Sequence, residues 1–363
     1  MLLDPVSSTE LSIHGGSIAG LTLGLLAARS GVRTALVGPE LSEPDTGSST
    51  PGIASVQQEL VHHHIRRWAG EPALHHWVEG TAAAQRMVVE LATELGVPVH
   101  EMTVATTTTD GHEAFWLRHE AHAMRRAGRA VDFDDAQRLP FPTRPSLITP
   151  AQPVFDLTAY KAALLDAFRA AGGRLSTVPV PARRLVSATP KPVLDRYAMN
   201  PRLQQHTWTW HRLATTGADA VCSLIDDGGR LVLPDPRTGD LLVGSRRDDG
   251  RDFVATQWPG TAITATWQVP TSATFDALPF IGQAGPGRDR EYVACGFDVF
   301  EPISGTLAGV ELHRVIVDGG TAEKAFSPTR RPRVAAVLRA ARDTARFGLK
   351  VSTVSPFPKA PLR

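Results

Sequence analysis

The sequence predicts a mixed α/β protein made of two interleaved parts, one built on a parallel nucleotide-type βαβ unit and the other on an antiparallel sheet. Three observations carry this. An apolar strand, a glycine turn and an apolar helix open the chain in "SIHGGSIAGLTLGLLAARSGVRTALVGPE" (12–40). Short strands separated by Gly- and Asp-rich turns fill about 205–270, and α/β patterning returns at the end.

Taken in order, Glu10 to His14 reads as a buried strand and Ile18 to Arg29 as a helix apolar nearly all round, closed by Gly31. Arg33 to Val37 is the second strand. Residues 39–54 form a loop rich in Gly, Ser, Pro and Thr, and helices follow at about 55–69 and 72–95. Short strands and the charged helix "HEAFWLRHEAHAMRRAG" occupy 98–150. Asp156 is the N-cap of a helix to about Ala171, stopped by Gly172-Gly173. The strands "LQQHTWTWHRLATT", "DAVCSLID", "GRLVLPD" and "GDLLVGS" come next. Strands near 278–282 and 291–295 and a helix from Ser304 to about Ile316 complete the pattern.

A chain of 363 residues can bury one large core or two intergrown ones. Its 38 Lys and Arg against 37 Asp and Glu give no electrostatic case for a nucleic-acid or membrane partner, so a small-molecule substrate is expected. Cys222 and Cys295 form no CxxC motif, and free thiols in a reducing cytoplasm are the expectation. No apolar stretch reaches the length of a membrane span.

In the opening unit, Gly15 permits a tight turn, Gly16 and Ser17 bring the main chain close to a diphosphate, and Gly20 lets helix and strand approach. The phosphates would rest on amides at the positive end of the helix. Gly38 stands where an acid would hold a ribose, and Glu40 lies two residues further on. The histidines at 62–64, 75–76, 112, 119 and 122 lack a recognised ligand spacing. They are read as solvated helix faces, and no metal site is expected. In "TWTWHRL", Trp208, Trp210 and Arg212 share one strand face with His211 opposite. Trp210 and Arg212 are candidates for holding an aromatic or carboxylate-bearing substrate, with packing of the aromatics on the sheet as the alternative.

The segment "TFDALPFIGQAGPGRDREYVACGFDVFEPISGTLAGVELHRVIVDG" (274–320) resembles the closing segment of the D-amino-acid-oxidase-like (DAO) superfamily of FAD-dependent oxidoreductases. Together with "DTGSSTPGIASVQQELVHHHIRRWAGEPAL" and "AQRLPFPTRPSLITPAQPVFDLTAYKAALLDAF", it is most similar to the oxidoreductase part of Rieske-type FAD proteins, without a Rieske domain. The resemblance implies a glutathione-reductase-like, FAD-binding Rossmann domain (1–97, 151–204 and 271–345) interleaved with an antiparallel-sheet substrate domain (98–150 and 205–270). An extended tail, 346–363, follows. It also implies hydride removal from a C–N bond of an amine, imine or amino-acid-like molecule, in a specialised pathway.

By position, Gly15, Gly16, Ser17 and Gly20 would hold the FAD diphosphate, with Gly38 or Glu40 at the ribose and Val178 at the adenine. Ser48, Ser49, Thr50 and Gly282 would lie with the cofactor, and Ser304, Gly305 and Thr306 would open the last helix towards the flavin. The chain departs from the family pattern in three places. Gly38 lacks the acid, "GRLSTVPVPA" is too short for the β-meander over the adenine, and Glu301 replaces a small residue in "GFDVFEPISG". Weak or altered FAD binding is therefore expected. The second reading is a protein of this fold without net redox chemistry, a cyclase or isomerase using Glu301, Asp298 or His211 as acid or base, or a ligand-binding protein.

Overall fold

A computed structural model describes residues 9–338, apart from 39–40, 42–49, 112, 137, 194–199, 217–219, 227–228, 247, 332–333 and 335. The predicted tail, 346–363, lies outside the described residues.

The opening unit comprises β1 (Leu11–His14), α1 (Ile18–Arg29) and β2 (Thr34–Val37), with α1 carrying the chain over to a parallel neighbour of β1. Ten of the twelve residues of α1 are buried, as its near-continuous apolar sequence requires. Next come β3 (Gly52–Ile53), α2 (Val61–Trp68) and α3 (Glu71–Glu94), then β4 (Val99–Thr107), α4 (Ala114–Arg126), β5 (Asp132–Asp134) and β6 (Ser146–Phe155). The helix α5 (Leu157–Ala170) begins at Asp156, whose carboxylate accepts from the amides of Thr158 and Ala159 at 2.9 and 3.3 Å.

The strands β7 (Arg174–Ser176) and β8 (Arg184–Ser187) lead to the antiparallel run β9 (Leu203–Leu213), β10 (Ala220–Leu224), β11 (Arg230–Pro234) and β12 (Leu241–Ser245). After α6 (Arg251–Gln257), β13 (Ile263–Thr274) returns beside β9. The chain then forms β14 (Phe280–Gln283), β15 (Glu291–Cys295) and α7 (Glu301–Ile316).

Two sheets result. The six-stranded one has the order β14-β15-β8-β1-β2-β7 and is parallel except for β14 against β15. The nine-stranded one has the order β13-β9-β12-β11-β10-β4-β6-β3 with β5 beside β6, and its single parallel pair is β10 with β4. One apolar cluster joins Ile13 and Leu36 of the first sheet to Trp208, Trp210 and Leu231 of the second. The chain thus alternates between the two sheets around a shared core.

Two element boundaries differ from the sequence reading. The helix expected from residue 55 starts at Val61, because Ser55 and Val56 donate to the buried Gln152 side-chain oxygen at 3.2 and 3.0 Å and are held outside it. The last helix starts at Glu301 instead of Ser304, with Pro302 in its first turn, where a missing N–H costs nothing.

Candidate functional site

At the end of β1, Gly15 has φ +108°, and a Cβ there would stand 2.4 Å from the Ala188 carbonyl oxygen and 2.6 Å from Thr189 Cγ2. Only glycine lets the chain turn beneath the loop that leaves β8. Ser17 is the N-cap of α1, its Oγ accepting from the Gly20 amide at 3.2 Å. The first amide inside the helix, that of Ile18, donates at 2.8 Å to Oε1 of Glu301, a residue 283 positions away. Glu301 Oε2 lies 3.5 Å from Lys161 Nζ on α5. The positive end of α1 therefore holds a carboxylate of the same chain.

Glu301 and Ser17 line a cavity of about 380 Å³, open mouth included, together with Thr50, Thr189, Thr271 and Asp298. A second cavity of about 270 Å³ is lined by Thr50, Phe155, Asp235, Arg237 and Trp267 among others. Thr50 borders both.

The predicted residues fall into two groups. The structure brings Gly15, Gly16, Ser17, Gly20, Thr50, Asp298 and Glu301 to the α1 terminus and its cavity. The others lie elsewhere. Ser304, Gly305 and Thr306 are one turn inside α7 and buried; a Cβ on Gly305 would be 3.1 Å from the Ala19 amide, so this stretch faces α1 and does not open the helix. Gly282 sits within β14 with φ +133°, and a Cβ there would meet Pro328 at 3.5 Å. Gly38 donates its amide to the Ser176 carbonyl, and Val178 is 63% exposed on the turn after β7. Glu40, Ser48 and Ser49 lie outside the described residues.

Two expectations for side-chain roles are corrected. His211 is fully buried, with Nδ1 2.9 Å from Thr266 Oγ1 and Nε2 2.6 Å from the Asp249 carbonyl, so both ring nitrogens are engaged away from the cavity. Trp210 is also fully buried, stacked between Trp208 and Trp267 over Gly244, where a Cβ would be 2.7 Å from the indole. Packing on the sheet, the alternative for this aromatic, is what the structure shows. Arg212, the other candidate on this strand, pairs its guanidinium at 2.7 Å with Asp235, which lines the second cavity.

Asp298 borders the cavity, but it accepts from Trp208 Nε1, Thr271 Oγ1 and Arg246 at 2.9, 2.7 and 3.1 Å. Burial pushes its carboxyl up; the nearby His206, Arg246 and Thr271 outweigh burial and hold it well below the usual carboxylate range. A carboxylate held so far down is a poor base near neutrality.

Two of the histidines also differ from the sequence reading, whereas His75, His76 and His122 are exposed as expected. His62 and His63 are buried, not solvated, and Glu120 accepts from the amides of both and lies 2.7 Å from His62 Nδ1. His112 lies outside the described residues, and no cluster of three or more His, Cys, Asp or Glu able to hold a metal occurs among the described residues.

Sequence reasoning missed Lys161 and the Asp235–Arg237 pair that lines the second cavity at 3.0 Å. Lys161 is the one cation in "LTAYKAALLDAF", and Arg237 follows Asp235 by two residues in one turn, so both left a usable signal; the pairing of Asp235 with Arg212 depends on strand register and left none. Among the described residues, no helix is long and apolar enough to cross a membrane.

No family model matches the sequence, and no curated protein matches it. Solved structures do match. Glycine oxidase from Geobacillus kaustophilus superposes with a TM-score of 0.69 at 17% identity, covering 89% of this chain and 98% of that one. L-proline dehydrogenase from P. horikoshii gives 0.68 at 13% identity over 89% and 98%. NikD, an amino acid oxidase of nikkomycin biosynthesis, gives 0.65 at 15% over 90% and 98%. At these identities the likeness establishes the architecture: the chain has the fold of these amino acid oxidases and dehydrogenases.

Proposed function

We propose that the chain is an FAD-dependent oxidoreductase that removes a hydride from a C–N bond of a small amine, imine or amino-acid-like molecule. One observation carries the cofactor half of this reading. The first amide of α1, beside a glycine turn that admits no Cβ, already binds an anionic oxygen at 2.8 Å. The donor set therefore suits a diphosphate, for which the Glu301 carboxylate is the stand-in. The fold supports the other half, since the solved structures that share it include enzymes named for oxidising glycine, proline and other amino acids.

In this reading the amides at Gly16, Ser17 and Ile18 take the diphosphate, and Lys161 supplies a positive charge beside it. Thr50, which borders both cavities, would stand between the cofactor and the substrate. FAD, when bound, supplies the two-electron acceptor, so that C–N becomes C=N as the hydride leaves and the nitrogen gives up a proton. Neither Asp298 nor His211 takes that proton, for the reasons given above.

Glu301 on the α1 terminus and the missing acid at Gly38 favour a second reading, a protein of this fold that binds a ligand or rearranges one without net electron transfer. One experiment separates the two. The purified protein is incubated with FAD, desalted, and its visible spectrum recorded, then followed anaerobically with a panel of amines and amino acids. A retained flavin band that bleaches with one of them is the expected result. No flavin bound at any FAD concentration, before desalting as well as after it, leaves only the second reading.

A further inference from the structure

We infer that Glu301 is the resident anion of the α1 terminus, and that a dinucleotide diphosphate enters this site only by displacing its carboxylate. The inference rests on the reading that the glycine turn takes such a diphosphate.

A carboxylate on a helix amide is often no more than a cap, and the protein contains such a case for comparison. Leu60, at the N-cap of α2, makes no side-chain cap bond, and Glu120 accepts from the amides of His62 and His63 in its place. Glu120 is completely buried and also bonds the His62 ring, and it closes that helix end. The arrangement at α1 differs in each respect. Ser17 already caps the helix from its own chain segment. Glu301 bonds a single amide, its side chain remains 19% exposed, and it borders a cavity into which it can turn.

The position of that carboxylate is nevertheless fixed. Glu301 is the first residue of α7, and α7 packs closely on α1, its Gly305 and Gly309 lying against the side chains of Ile18 and Thr22. A Cβ on Gly305 would be 3.1 Å from the Ala19 amide, and one on Gly309 would be 2.7 Å from Thr22 Cβ. Such packing leaves the backbone at Glu301 little freedom, so the side chain alone must move. A diphosphate cannot share the Ile18 amide with a carboxylate, because like charges at hydrogen-bond distance oppose each other. Lys161, now 3.5 Å from Glu301, would keep its charge available to the incoming anion.

Wild type, E301Q and E301A are titrated by calorimetry with FAD and, separately, with inorganic pyrophosphate. Thermal unfolding of each protein is recorded alongside. Loss of the competing charge-assisted bond should tighten both ligands about tenfold or more in E301A, with E301Q in between. Adding K161M to E301A should weaken pyrophosphate again. Tighter pyrophosphate binding without any FAD binding supports the inference and removes the FAD reading. Equal FAD affinity in all three proteins overturns the inference and leaves the FAD reading standing. Weaker binding of both ligands by the variants, or no binding of either by any of them, overturns the inference. E301Q, which keeps the shape of the side chain, gives the same comparison should E301A fail to fold.

Discussion

Asp298 and Glu59 are non-glycine residues with φ near +50°, at +49° and +50°, and both send their carboxylates to the same guanidinium, that of Arg246. A left-handed backbone costs about 1 kcal/mol or more for such residues and persists only where surrounding contacts hold it. Here the contacts are ionic: Arg246 is 3.1 Å from Asp298 and 3.2 Å from Glu59, with Trp208 beneath its guanidinium. Burial pulls the Arg246 proton affinity down, yet the two carboxylates outweigh it and leave it raised. Removing one member of such a cluster leaves the others buried without their counter-charge. We expect D298A to lose about 3 kcal/mol of stability, measured by urea unfolding, while D298N, which keeps an acceptor for Trp208 Nε1, loses less. Equal midpoints for wild type and D298A would mean that the cluster contributes nothing to folding. The same residue shows where the sequence misleads: an acid in "GFDVFEPISG" reads as a candidate base, and only its three donors reveal a structural anion.

The pair formed by α1 and α7 brings together segments about 280 residues apart and sets the position of the candidate site. The glycines of α7 lie against Ile18 and Thr22 of α1. The absent side chain of Gly309 is what lets Thr22 and the Leu23 amide approach, since a Cβ would stand 2.7 and 3.0 Å from them. In an isolated helix, Gly to Ala adds about 1 kcal/mol of stability through propensity. In α7 the added methyl must push the Thr22 side chain and the Leu23 amide away, and overpacking of that kind costs about 1–3 kcal/mol. We expect G309A to be destabilising on balance and to weaken binding at the α1 terminus, because Glu301 and Ile18 move apart with the helices. A midpoint raised by the full propensity gain would show that the contact tolerates a side chain. Both helices were legible in the sequence, α1 to its exact bounds and α7 from Ser304 onwards, because a run of apolar residues at helical length is a local signal. Their pairing was not, since the bond from Ile18 to Glu301 spans 283 positions and follows from the return of the chain to the first sheet.

At the scale of the whole molecule, the alternation of parallel and antiparallel strand patterns along the chain was enough to anticipate two sheets. The buried ion pairs that tie distant segments together leave no periodicity to read. Three of them share one electrostatic character. Asp235 at the end of β11 is held by Arg212 and Arg237 at 2.7 and 3.0 Å, and Asp276, between β13 and β14, takes two bonds of 2.8 Å from Arg330. Asp298 joins the start of α7 to β9 and β13. In each case burial raises the carboxyl, and hydrogen bonds and charge from arginine, or from histidine and arginine for Asp298, reverse the effect and leave it below the ordinary value. A carboxylate depressed in the folded state stabilises the protein above its unfolded pKa, about 3.9. That stability is lost as the pH falls from there towards the folded value. Each such group makes stability rise with pH by up to about 1.36 kcal/mol per unit within its own interval and contributes no slope near neutrality. Urea midpoints should therefore be flat, for these three groups, from about pH 8 to pH 5 and fall steeply below about pH 4. In D276N the acid slope should become shallower while the plateau drops, since the amide keeps one bond to Arg330 but not the charge. An unchanged acid slope in D276N would show that Asp276 titrates alike in the folded and unfolded chains, and that its pairing with Arg330 does not hold the segment around residue 330 in place.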